Sequence, residues 1–182
     1  QGRWRLESNN IEKKIVSLQL GRAVKNDFIV ARLCDWGFPQ VIQSSLISDG
    51  RPFPTLFWLT CPFLKGEVSR LESKGMISHL EKRIEQDKSF AAAFLNAHRE
   101  TTLLKEKILC EASVSGESRR LLLDRGIGGI RNLKKVKCLH LHLANYLGGI
   151  DNPMGREVWN LLEKKQCSST KIICRELLRE NE

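Results

Sequence analysis

The residues best suited to chemistry lie in one stretch, Val136-Lys-Cys-Leu-His-Leu-His-Leu-Ala-Asn-Tyr-Leu147, with glycines at 126, 128 and 129 before it and at 148 and 149 after it. It is apolar almost all round, the pattern of a helix buried on every side. At about 100° per residue, Cys138, His142 and Asn145 share one stripe, while His140 points away with Val136, Leu143 and Leu147. A thiolate and an imidazole at i and i+4 can close on one metal ion. Cys61, Cys34 and Cys167 are the sulfurs that could complete such a site. Four thiolates suit zinc or an iron–sulfur cluster, whereas a mixed thiolate and imidazole set suits zinc. The competing reading is that these thiols are small core hydrophobes, because free cysteine is among the most buried residue types. No CxxC pair decides between the two.

A second set of groups precedes the same stretch. Arg125, Gly128, Gly129, Arg131, Lys134, Lys135 and Lys137 combine glycines, cations and an approach to a helix N-terminus, which are the ingredients of an anion site. The net charge of the chain is +9, and +5 of it falls within residues 113–137. That concentration favours an anionic ligand at this place, a phosphate-bearing molecule or a polyanion, over a generally basic surface. The spacing matches neither the P-loop nor the dinucleotide fingerprint. A solvated linker is the plainer alternative. A third candidate is His98, placed mid-helix, where it could serve as a base to Cys61 or Cys138. No paired carboxylates or triad order points to a particular reaction, so the sequence leaves open whether the protein is an enzyme.

These residues need elements to position them. Residues 10–20 fit a short amphipathic helix that Asn10 can cap and Gly21 can end. Phe28–Leu33 and Gln40–Gln43 read as strands joined by a turn at Cys34-Asp-Trp-Gly-Phe-Pro39, and Thr55–Thr60 as a third strand that Pro62 stops at Cys61. The pattern then turns helical. Ser69-Arg-Leu-Glu72 and Ser78-His-Leu-Glu81 are capping-box candidates, Asp87 can cap a long helix over 88–110, and 119–124 is a weak turn. The central helix follows over 136–147. Asn152-Pro153 starts a helix over 153–165, and 171–179 ends the chain as a frayed helix. The expected class is α+β: an N-terminal helix, a small antiparallel sheet of about three strands, then five or six helices. Length predicts a single domain over 1–182, with helix and sheet in 10–62, the helical part in 66–166 and the C-terminal helix in 168–182. Six scattered cysteines predict reduced thiols and a cytoplasmic setting, and no apolar run approaches a membrane span.

Leu20-Gly21-Arg22, the run Pro52-Phe-Pro-Thr-Leu-Phe-Trp-Leu-Thr-Cys-Pro62, Ser69-Arg-Leu-Glu72, Val136-Lys-Cys-Leu-His140 and Asn152-Pro-Met-Gly155 occur together and in this order. The chain thereby resembles the bacterial family known as domain of unknown function 501. The resemblance implies a small cytoplasmic protein of no established activity, encoded in many genomes near an exopolyphosphatase. It also implies that Cys34, Cys61, Cys138, Cys167 and the Ala97-His98 pair hold family-like positions. Asn145 stands where the family commonly has a histidine, and Thr102 where an aromatic is expected.

Overall fold

In the computed structural model, residues 10–112, 114 and 116–181 are described. Helix α1 (Asn10–Leu20) leads into strands β1 (Phe28–Leu33) and β2 (Pro39–Ser44), a small ribbon of β3 (Ile47–Ser48) and β4 (Arg51–Pro52), and β5 (Phe57–Leu59). Helices α2 (Pro62–Ser73), α3 (Met76–Gln86), α4 (Lys88–Cys110) and α5 (Gly116–Leu123) follow. A 3₁₀ turn (Ile127–Gly129) then leads to α6 (Leu139–Leu147), α7 (Pro153–Leu161) and α8 (Ile173–Arg179). This is α+β: an N-terminal helix, a three-stranded antiparallel sheet in the order β1-β2-β5, then a run of helices. No helix among the described residues is long and apolar enough to cross a membrane.

Strand alternation splits the sheet between two apolar clusters. Val41, Phe57 and Leu59 point into the larger one, with Leu139, Leu143, Ala144 and Leu147 of α6 and Met154 and Val158 of α7. Ile42 points the other way, with Phe28, Val16 of α1 and the partly buried Trp58. Helices therefore cover both faces of the sheet, α1 supplying the second cover that the sequence does not announce. Gly148 lets α6 end against β5, because a Cβ there would lie 2.4 Å from a ring carbon of Phe57.

Local signals set several boundaries. Asp87 accepts the Ser89 and Phe90 amides and starts α4. Asn152 accepts the Gly155 amide and Pro153 fills the first turn of α7. Ser69 and Glu72 do not open a helix, nor do Ser78 and Glu81. Pro62 starts α2 earlier, and Glu72 and Glu81 instead reach across to other segments. The weak turn expected over 119–124 is part of a full helix, α5.

Candidate functional site

The central helix starts at Leu139, later than the apolar run suggests. Cys138 is its N-cap residue in extended conformation, φ −165° and ψ 156°. Its side chain therefore leaves the helical phase, and it does not join His142. It meets His140 and Glu72 of α2 instead: one ligand atom from each of the three lies within 4.8 Å of the others.

Glu72 Oε1 accepts the Leu139 amide at 2.6 Å and so caps α6 from another helix. The same oxygen lies 3.1 Å from His140 Nδ1. On the far side of the ring, Nε2 faces the Lys65 carbonyl oxygen at 3.1 Å and the Ser69 hydroxyl at 3.3 Å. Nδ1 thus faces a carboxylate oxygen, and Nε2 faces a carbonyl oxygen and a hydroxyl that can accept or donate. A neutral imidazole carries one N–H, for Glu72 or for Lys65; protonated at Nδ1 it can accept from the Ser69 hydroxyl at Nε2. The Glu72 and Lys65 contacts are met together by a ring carrying two protons, or by one whose Nδ1 binds a cation. Burial alone would depress His140; the Cys138 thiol, the Glu72 carboxylate and the Lys65 carbonyl outweigh it and hold its pKa above the ordinary value. Metal-bound histidines commonly hold the ring by donating the other N–H to a backbone carbonyl, which is the role Lys65 can fill. All three residues are half-buried, so solvent reaches the group.

His142 lies elsewhere, in a buried network. Asn152 Nδ2 lies 3.1 Å from His142 Nδ1 and donates to Asn145 Oδ1 at 3.0 Å. Asn145 in turn donates to Thr101 Oγ1, and Thr101 to the Ala97 carbonyl. Asn145 thus supplies a link in a polar core. His98 is 1% exposed, its ring 6.2 Å from that of His142 and 4.9 Å from that of Phe94. Its Nδ1 accepts the Ile127 amide, while Nε2 has no hydrogen-bond partner. Neither nitrogen engages a thiol. Burial depresses both rings, His98 to about 4 with Lys105 adding to the effect, and His142 to about 3 with His98 adding. Both are neutral at pH 7.

The basic glycine stretch uses its backbone internally. Gly126 N–H donates to Ile130 O, Gly129 N–H to Gly126 O and Ile127 N–H to His98. Gly128, at φ +69°, packs so closely on Leu141 that a Cβ would lie 2.2 Å from a side-chain carbon. Gly129, at φ +77°, packs on Pro54. These glycines serve turn and packing, and Glu72 holds the carboxylate position at the helix start. The Arg125 carbonyl accepts from buried Lys105, and Lys135 pairs with Glu81 at 3.4 Å. Arg131, Lys134 and Lys137 are exposed.

The remaining metal candidates, Cys34, Cys61 and Cys167, lie toward the start of β2. Cys61 caps α2, Cys34 lies in the β1–β2 turn, and Cys167 follows α7. All six cysteines are free. Sequence reasoning passed over Glu72, hidden inside an apparent capping box, and set His140 aside on helical phase that begins only after Cys138.

The fold and the Glu–Cys–His group define an α+β protein with a candidate metal centre on the helix that follows Cys138. The chain belongs to the family described as Protein of unknown function (DUF501), whose family model matches residues 30–160. No curated protein and no solved structure matches it.

Proposed function

We propose that Glu72, Cys138 and His140 bind a single zinc ion, and that the exposed cations Arg131, Lys134 and Lys137 bring a phosphate-bearing ligand to it. The observation that carries this reading is the convergence of one ligand atom each from Glu72, Cys138 and His140 within 4.8 Å of one another, with the far ring nitrogen of His140 on the Lys65 carbonyl. One carboxylate, one thiolate and one imidazole form a three-ligand set of the kind that leaves a fourth zinc position for water or ligand. There the ion polarises a bound oxygen and lowers the pKa of bound water. Zinc binding releases the Cys138 thiol proton, so affinity rises with pH. The test is zinc content after dialysis against a weak chelator. About one zinc per chain is expected, falling at least tenfold in Cys138→Ser and His140→Ala. Wild-type protein that retains no zinc overturns the reading.

A second reading rests on the internally satisfied glycine loop. With its amides engaged, the stretch 119–137 offers charge without a shaped cradle, which suits a polyanion held by lysines and arginines alone. Such binding weakens steeply with salt. Affinity for polyphosphate or nucleic acid that is lost on reversing Lys134 and Lys137, yet unchanged when zinc is removed, would favour this reading.

A further inference from the structure

The chain that leaves α1 and the segment that enters β5 meet on the α1 face of the sheet, where a cavity of about 250 Å³ opens between them. Ile42 of β2 and the partly buried Trp58 of β5 line its sheet side. Backbone hydrogen bonds fix both walls. Gly21, at φ +66°, turns the chain out of α1; the Arg22 amide then donates to Ser17 O at 3.2 Å and the Val24 amide to Ser17 Oγ at 3.1 Å. On the other wall, the Phe53 amide donates to Leu46 O at 2.7 Å. Trp58 Nε1 donates to Thr55 O at 3.2 Å, so the indole N–H is already used and the ring has its π-surface to offer a ligand.

Three kinds of group converge on this space. The first is a stack: the Phe53 and Trp58 rings lie 8° from parallel with centroids 5.5 Å apart, and the Arg22 guanidinium sits over the indole, 5.7 Å from its centroid. Flat rings beside a planar cation are the surfaces on which nucleobases stack. The second is charge. Arg22 and Lys25 both line the cavity and are exposed, and neither has a carboxylate partner among the described residues. No acidic side chain among the described residues lines the cavity. Two uncompensated cations select an anionic ligand over a neutral aromatic one. The third is an amide. Asn26 Oδ1 accepts from the Ser48 hydroxyl, and Nδ2 donates to Ser44 Oγ at 3.4 Å. Nδ2 carries two hydrogens, and the second has no acceptor among the described residues, so it can meet a ring nitrogen or carbonyl on a base edge. The volume lies just under the roughly 300 Å³ at which small-molecule sites begin, which suits one base and its sugar rather than a dinucleotide.

We propose that this cavity binds a nucleotide, its base stacked in the Phe53–Trp58–Arg22 array and its phosphate held by the cations Arg22 and Lys25. Stacking is indifferent to which base is present, because every base has a π-face; the Asn26 amide is the group that can discriminate among base edges. The same chemistry serves a free nucleotide and one unit of a single strand. The site is independent of the zinc group, which joins α2 to the start of α6, and α6 packs on the opposite face of the sheet.

The test titrates the full chain with the adenosine, guanosine, cytidine and uridine monophosphates, and with ribose 5-phosphate as the control that lacks a base, using calorimetry. At least one nucleotide should bind about tenfold or more tighter than ribose 5-phosphate, and its binding should shift the Trp58 indole N–H resonance. Arg22→Ala alters an exposed side chain and Trp58→Ala removes the ring, with folding of both checked by circular dichroism; each should weaken nucleotide binding about tenfold. Cys138→Ser should bind nucleotide as wild type does, which separates this outcome from failure of the zinc site. A single-stranded RNA of about ten nucleotides identifies the source: affinity well above that of the mononucleotides marks a strand, and equal affinity a free nucleotide. Nucleotides that bind no tighter than ribose 5-phosphate overturn the proposal. So does nucleotide binding that Arg22→Ala and Trp58→Ala both leave unchanged.

Discussion

Acidification should destabilise this protein through His98, and the size of the effect follows from its surroundings. The ring is 1% exposed, its Nδ1 accepts the Ile127 amide, and its pKa falls from 6.5 to about 4. The unfolded chain binds a proton near pH 6.5 that the folded chain refuses until about pH 4, so stability is full above the first value and declines as pH falls toward the second. At about pH 5 the gap from the unfolded value is about 1.5 units, and at about 1.4 kcal/mol per unit this costs about 2 kcal/mol. His142 shifts in the same direction and adds a loss of the same sign. His140, whose pKa is raised, opposes them, its contribution being present at low pH and lost as pH rises through its folded value. Lys105, lowered to about 8 by burial, is about a quarter deprotonated near pH 7.5 and protonated near pH 5, a change worth only about 0.2 kcal/mol. Urea unfolding near pH 7.5 and near pH 5 measures the difference. His98→Gln keeps an acceptor within reach of Ile127 and removes the titration, so it should lose about 2 kcal/mol less than wild type between the two conditions. Equal losses in the two proteins would refute the reasoning.

Three further outcomes follow from the same coordinates. Gly155→Ala would place a Cβ 2.2 Å from the His142 carbonyl oxygen, where α6 and α7 cross; neither backbone can yield cheaply, so thermal unfolding should register a loss of about 2–4 kcal/mol. Asn152→Ala removes the α7 cap and strips a donor from His142 and Asn145, and chemical denaturation should show about 3 kcal/mol lost. Glu72→Gln keeps an acceptor for the Leu139 amide but removes the charge beside His140; the His140 pKa, followed by NMR in metal-free protein, should fall, while helix content stays unchanged.

What was legible in the sequence was local. Asp87 and Asn152 cap the helices they precede, Gly37 at φ +78° turns the hairpin, and β-branched runs mark β1 and β2. The α+β order follows from such signals because each acts within a few residues. The site was legible only in part. Helical phase placed Cys138 over His142 on the premise that the helix includes residue 138. The helix instead starts one residue later, where a glutamate 67 positions earlier in the chain meets the Leu139 amide. Nothing near Glu72 in sequence announces that contact. The docking of the short C-terminal helix was likewise hidden, because it runs through Gln19, which donates to Pro39 O and to Cys174, 155 residues away. The basic loop shows the converse. Its composition suits an anion cradle, but its glycines answer to Leu141 and Pro54, and three of its amides already donate to protein acceptors.

Cobalt substitution tests the metal centre most directly. Metal-free protein titrated with cobalt should develop a thiolate-to-cobalt charge-transfer band and visible transitions of four-coordinate intensity, saturating at about one equivalent. The charge-transfer band should vanish in Cys138→Ser and persist in Cys34→Ser. A titration that produces no such band, or a band indifferent to Cys138, would contradict the assignment of Glu72, Cys138 and His140 as ligands.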